Sequence, residues 1–191
     1  MTTTVRGNHR ELILDVALKQ MSEHGAAGSS MRALAKECGL NVATLYHYFD
    51  SKDELLAAVV AERQYGTRLA VVPDINPEAS LATRLGTIWM TVWLGAIEEQ
   101  AVWKLLLGEG IRGEASVRPV AQELFSVMRE GLPIWIASVL PEIKDAERCA
   151  DVIIGQLFSG FVELIFDPEL EPERVGQRNG EVLERVFCKE R

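Results

Sequence analysis

Residues 33–56 read ALAKECGLNVATLYHYFDSKDELL, and the spacing of their small, apolar and capping residues decides the fold. Leu34 and Ala35 fall on one side of a short helix expected over Met31–Cys38, with Arg32, Lys36 and Glu37 on the wet side. Ser29 or Ser30 supplies its N-cap, and Gly39 ends it where a left-handed residue is needed. Asn41 caps a third helix over Val42–Tyr48. Ser51 followed by Glu54 is a capping box that opens a fourth, whose stripe is Leu55, Leu56, Val59 and Val60 and which is expected to continue past Arg63. Upstream, Ile13, Val16, Ala17, Gln20 and Met21 set a first helix over His9–His24 that stops at Gly25.

Two short helices joined through Gly39-Leu40-Asn41 form a helix-turn-helix, whose second helix can enter the major groove of DNA. With Leu34, Leu40 and Leu45 turned onto the first helix, Val42, Ala43, Thr44, Tyr46, His47 and Tyr48 are left to face outward. Hydroxyl, imidazole and small apolar groups suit phosphate oxygens, base edges and thymine methyls. Lys52 adds a cation beside the free N–H groups of a helix start, a seat for phosphate.

The string Thr44-Leu45-Tyr46-x-Tyr48-Phe49-x-Ser51-Lys52-x-x-Leu55 resembles the signature of the TetR family of bacterial transcriptional regulators, over about residues 9–60. The resemblance implies an all-helical homodimer, a palindromic operator bound by the N-terminal helices, repression, and a variable C-terminal domain holding a small effector that releases the DNA. Carried over by position, it implies DNA contacts at Ser30, Met31 and Arg32, at Val42, Ala43, Thr44, Tyr46, His47 and Tyr48, and at Lys52. Val42 and Ala43 are apolar where members often read bases, which points to thymine-methyl contact or shape readout there.

The chain has 191 residues, 48% hydrophobic and 25% charged, an ordinary globular composition. Its net charge is −8, unevenly spread. Residues 1–52 hold six Lys/Arg against five Asp/Glu, leaving 14 against 23 for the remainder, so the first third can still present a basic face. No signal-peptide pattern is read, because Glu11, Asp15 and Lys19 interrupt the apolar residues after Arg6, His9 and Arg10. Thr87–Ile97 is the apolar stretch tested as a membrane span, and it is far short of the roughly 20 residues required. Cys38, Cys149 and Cys188 are odd in number and widely spaced, which points to reduced cytoplasmic thiols rather than disulfides or zinc. His47 has no second ligand at helical spacing, so no metal is expected, and no cofactor is implied. HExxH, P-loop, GxSxG and nucleotide-binding GxGxxG patterns are missing, and an enzyme is not expected.

All seven prolines lie at Pro73 or later and all four tryptophans between Trp89 and Trp135, so the sequence divides into two parts joined near residues 72–78. The fold class expected is all-α with about nine helices. A helix-turn-helix DNA-binding domain covers residues 1–54, and a helical effector-binding and dimerisation domain covers 55–191. A fifth helix is expected over Ser80–Glu99, started by Asn76-Pro77, and a short sixth over Val102–Leu107, stopped by Gly108. A seventh, over Ser116–Leu140, contains Pro133, which should kink it and open space beside it. Trp89, Trp93, Trp103, Phe125, Met128, Trp135 and Phe158 have two readings, an ordinary bundle core or the wall of a pocket for a small hydrophobic effector. The eighth helix, Asp145–Phe166, is apolar nearly all round, and a ninth follows over Pro172–Cys188. Ile154, Leu157, Phe161, Ile165, Leu183 and Val186 are expected to meet a second copy in a four-helix interface. The competing function is a DNA-binding dimer with no small effector, controlled by a protein partner.

Overall fold

Local capping chemistry sets the helix boundaries in the first half of the chain. The structure, a computed structural model, describes residues 3–61 and 71–188, with side chains from residue 9 onward. In chain order its helices are α1 (Thr3–Gly28), α2 (Met31–Glu37), α3 (Val42–Tyr48), α4 (Lys52–Ala61), α5 (Leu81–Glu98), α6 (Gln100–Ile111), α7 (Arg118–Val139), α8 (Ala146–Phe166) and α9 (Pro172–Phe187), with a 3₁₀ turn at Ala115–Val117. Nine helices and no strand among the described residues agree with the all-α expectation. The continuation of α4 past Arg63 lies outside the described residues.

Two compact units result, Met1–Gln64 with Glu99–Glu123, and Tyr65–Glu98 with Leu124–Arg191. This division differs from a boundary at residue 54. The reason is packing: α4 buries Leu55, Leu56, Val59 and Val60 in the first unit and packs on α1. The α6 helix also packs on α1, and the 3₁₀ turn packs on α4. Residues 118–123 of α7 belong to the first unit and the remainder of that helix to the second.

In the first unit, Ile13, Leu14, Ala17 and Met21 carry the buried face of α1. Gly25 breaks that helix at φ +75°, and Ala26–Gly28 add a last turn. Ser30 Oγ caps α2 by accepting the Ala33 N–H at 3.1 Å. Gly39 closes α2 at φ +67°, with its N–H on the Lys36 carbonyl (3.1 Å) and the Leu40 N–H on the Ala35 carbonyl (2.8 Å). This pair of bonds is a Schellman motif. Ser51 Oγ accepts the Glu54 N–H, while the Glu54 carboxylate reaches back to the Asp50 N–H at 2.7 Å, one residue earlier than the box expects.

The α6 helix outruns its expected end. Gly108 and Gly110 stay helical, and the glycine with positive φ is Gly113, at +80°. Buried Val102, Trp103, Leu105 and Leu106 anchor the helix, and buried Glu109 lies in the added turn.

The second unit is built from α5, most of α7, α8 and α9, with α9 packed on both α5 and α8. Ser80, not Asn76, starts α5, its hydroxyl accepting the Thr83 N–H. The α7 helix runs on through Pro133. Trp89 and Trp93 stack with centroids 5.7 Å apart and are fully buried. Their indole N–H groups donate to the carbonyls of Gly176 (2.6 Å) and Pro172 (2.9 Å). Buried Arg84 ties the ends of two helices together by donating to the carbonyls of Ala79 and Val139 and pairing with Glu142. By length and composition α8 is apolar enough to cross a bilayer, so the stretch that meets this test is not 87–97. Core helices meet it too, and Cys149, Ile153, Leu157 and Phe161 of α8 are buried within the chain.

All three cysteines are free thiols; burial pushes Cys149 up to about 12 and raises Cys38 and Cys188 as well. A thiolate is the reactive form, so these groups are poor nucleophiles at neutral pH.

Gly25 is a place where only glycine fits. Its φ is left-handed, and an added Cβ would stand 3.2 Å from Glu109 Oε1 and 3.3 Å from Arg112 Nη1. Gly25→Val is expected to lower stability by about 2 kcal/mol, the scale of one non-glycine residue held in a strained region. Urea denaturation followed by circular dichroism checks this, and an unchanged midpoint would contradict it.

Candidate nucleic-acid interface

The helix-turn-helix stands on fully buried Leu34 and Leu45, with Phe49 beneath α3 and Leu40 half-buried between the helices. Asn41 Oδ1 caps α3 by accepting both the Thr44 N–H (2.7 Å) and the Thr44 hydroxyl (2.9 Å). These bonds fix where the helix starts and therefore which residues point away from the core.

The residues named from the sequence do not all reach the surface. Ser30, Arg32, Ala43, Tyr46 and His47 are exposed. Val42, Thr44, Tyr48 and Lys52 are half-buried. Met31 is a correction: at 7% exposure it belongs to the core, because it lies one turn from Leu34 and Ala35 on the inner face of α2. Ser30 spends its hydroxyl on capping, and the Thr44 hydroxyl is already committed to Asn41. Lys52 donates to the Ala26 carbonyl at 2.8 Å, so one of its three N–H donors is used within the chain. The His47 and Tyr48 rings meet edge to face at 5.6 Å.

The groups left to address a duplex are therefore Arg32 and Lys36, one turn apart on α2, and Ala43, Tyr46 and His47 on α3. Sequence reasoning missed Arg10, whose guanidinium lies over the Phe49 ring at 5.2 Å. It also missed Glu109, which accepts the Ala26 N–H at 2.8 Å across 83 residues of sequence. No local pattern announces either contact.

The residues expected to form an effector pocket are spread between the units. Trp103 belongs to the first, the other six to the second. Trp89 and Trp93 are core, since their rings are wholly buried and their N–H groups satisfied. Met128 and Trp135 are buried as well, while half-buried Phe125 and Phe158 stack at 5.4 Å. A groove of about 620 Å³ runs between α5 and α9, bordered by Thr83, Thr87, Trp89, Met90, Gln177 and Glu181. The Thr87 hydroxyl donates back to the Thr83 carbonyl of its own helix at 2.9 Å.

The expected dimer residues need correction too. Ile154, Leu157, Phe161 and Leu183 are buried inside their own chain, because Gly160 and Gly176 draw α8 and α9 tightly onto Trp93. Ile165 and Val186 are exposed, in company with Val162, Phe166 and Val182.

Residues 13–59 match the family of bacterial regulatory proteins called the tetR family. The chain is 40% identical over 55 residues to the HTH-type transcriptional regulator UidR of Escherichia coli (strain K12), covering 29% of this chain and 28% of that one. It thus spans little more than a quarter of that relative's length. It is 26% identical over 145 residues to the HTH-type transcriptional regulator BetI of Rhizobium meliloti (strain 1021), covering 74% and 70% of the two chains. Among solved structures, a transcriptional regulator from Rhodococcus sp. Rha1 superposes with a TM-score of 0.72 at 17% identity, covering 93% of this chain and 95% of that one. Salmonella enterica GusR gives 0.70 at 18% identity, covering 95% and 96%. At those identities the likeness speaks for the fold. Residues 13–59, the helix-turn-helix and its flanking helices, are thus the part of the chain that matches the tetR family of bacterial regulatory proteins.

Proposed function

We propose that this chain is a cytoplasmic DNA-binding transcriptional regulator, a repressor that sits as a homodimer on a palindromic operator and is released by a small hydrophobic effector. The observation that carries the DNA-binding part is α3 itself, held by the Gly39 turn and the Asn41 cap with Ala43, Tyr46 and His47 outward. Arg32 brings the bidentate donor suited to guanine or phosphate, His47 a base-edge donor or acceptor, and Ala43 an apolar contact for a thymine methyl. The effector part is supported by the stacked Phe125 and Phe158, an apolar surface that remains partly accessible in the second unit. The dimer part is supported by the apolar residues that α8 and α9 leave in water.

The test selects a duplex from a random pool with the wild-type chain and titrates it at two salt concentrations. Arg32→Ala is expected to weaken binding and lower the salt slope by about one, as loss of one phosphate contact does. Tyr46→Ala is expected to cost about 1 kcal/mol through its hydroxyl contact. A pool with no enriched sequence would overturn the DNA-binding reading. A melting-temperature screen against lipophilic compounds tests the effector, since a ligand that binds only the folded state raises the midpoint. Absence of any shift, with DNA binding intact, would favour control by a protein partner.

A further inference from the structure

Glu109 is the one buried carboxylate among the described residues, 3% exposed. Nothing in the DNA-binding reading uses it. Its Oε1 accepts the backbone N–H of Ala26 at 2.8 Å and Arg112 Nη1 at 2.9 Å. Ala26 follows the left-handed break at Gly25 and is itself buried, so its N–H has left the ladder of α1 and would otherwise face the interior unpaired. On the other side of the same residue, the Ala26 carbonyl accepts Lys52 Nζ at 2.8 Å. One residue is thus held from α6 through its N–H and from the start of α4 through its C=O. Four residues later, Ser30 caps α2.

Apart from Ser29, the other buried side chains described in this unit are apolar, Ile13, Met21, Leu34, Leu45 and Leu55 among them. Apolar contacts favour burial but are non-directional. The charge-assisted bonds at Ala26 have direction and fix a distance. A buried carboxylate is a poor way to gain stability, because desolvation offsets much of what its partners return. Its use here fits a role in placement.

We propose that Glu109 is a positioning residue for DNA recognition: through the Ala26 N–H it sets how α2, and with it α3, leaves α1. Glu109 touches no DNA. The inference rests on the DNA-binding reading.

The experiment compares wild type, Glu109→Leu and Glu109→Gln on the duplex enriched by the wild type and on a random-sequence duplex of equal length, each at two salt concentrations. Glu109→Leu removes the acceptor, and Glu109→Gln keeps a neutral one. Glu109→Leu is expected to lose about tenfold on the selected duplex, roughly 1.4 kcal/mol, with unchanged salt slope and unchanged affinity for the random duplex. Glu109→Gln is expected to restore binding to within about twofold of wild type. Ile13→Ala, a core truncation at least as costly to stability, is expected to bind the selected duplex normally. If Glu109→Leu does not fold, Glu109→Ala is read by the same criteria.

Equal affinity of wild type and Glu109→Leu would overturn the inference and leave DNA binding intact. A salt slope lowered by about one would mean that the variant has lost a cation–phosphate contact, and would overturn a purely geometric role. A loss in Ile13→Ala equal to that in Glu109→Leu would reduce its role to general stability, and failure of Glu109→Gln to rescue would remove the acceptor argument. A wild type that enriches no duplex overturns the DNA-binding reading, and this inference falls with it.

Discussion

Gly160→Val is expected to unfold the second unit, with a loss of about 3 kcal/mol or more. A Cβ at Gly160 would lie 2.6 Å from Cη2 and Cζ3 of Trp93 and 3.0 Å from Val175 Cγ1. Those ring atoms cannot retreat. Trp93 is fully buried, stacked on Trp89, packed against Phe161, and tethered by its N–H to the Pro172 carbonyl. The clash must therefore move helices, and close-packed interiors transmit such strain. Gly155, five residues earlier on α8, has nothing within 4 Å of the same position. Gly155→Ala is expected to raise stability by a few tenths to 1 kcal/mol, since glycine in an exposed helix interior is the poorer former. Trp93→Leu in the Gly160→Val background removes the obstructing ring, so the double variant should be more stable than the two single losses predict. Thermal or urea denaturation of the four variants checks the set. Equal midpoints for Gly160→Val and Gly155→Ala would mean that α8 does not lie on Trp93 as described.

The same glycine shows why some of this structure was legible in the sequence and some was not. The helix-turn-helix is written in contacts three to five residues apart: Ser30 with Ala33, Asn41 with Thr44, Leu40 with Ala35. Capping and turn chemistry of that range can be read directly from residue types. The rotation of α8 cannot. From Val152 onward apolar residues cover nearly its whole circumference, so periodicity does not say which side is inside. Gly160 and Gly176 decide it, by admitting Trp93 from a helix some 70 residues earlier. Leu157 and Phe161, expected at an interface, then fall inside their own chain, while Ile165 and Phe166 stay exposed. Glu109 failed to announce itself for the same reason: a lone carboxylate in a helix is usually solvated, and its partner is a backbone N–H. At Met31 and Lys52 the family motif named the positions, while the orientation came from packing and from the Ala26 carbonyl.

The corrected face makes the second prediction. Val162→Glu with Phe166→Glu is expected to convert a dimer into a folded monomer. Phe166 is 83% exposed and Val162 48%, and Gly155 on the same helix leaves open space for a neighbouring backbone. On α9, Val182 and Val186 are exposed one turn apart. Apolar side chains gathered like this on two packed helices suit an isologous contact, the same patch facing itself across a two-fold axis. Glutamates there cost the single chain little, because both positions face water, but in the dimer they bury unpaired charge. Phe161→Glu differs in kind. At 2% exposure it puts the charge into the core and should unfold the unit rather than separate the copies. Sedimentation and circular dichroism together distinguish the outcomes: monomer with native helicity for the double variant, lost helicity for Phe161→Glu. DNA binding should follow the first result. A palindrome offers half-sites one turn, about 34–36 Å, apart. When two modules are linked, the second contact forms at high effective concentration, and losing the link should weaken binding by a factor of about 10² or more. Ile134→Glu, a similar charge at an exposed residue of α7, is expected to leave both assembly and binding unchanged. A double variant that still sediments as a dimer would place the interface elsewhere, and a wild type that is monomeric at micromolar concentration would remove the homodimer from the proposed function.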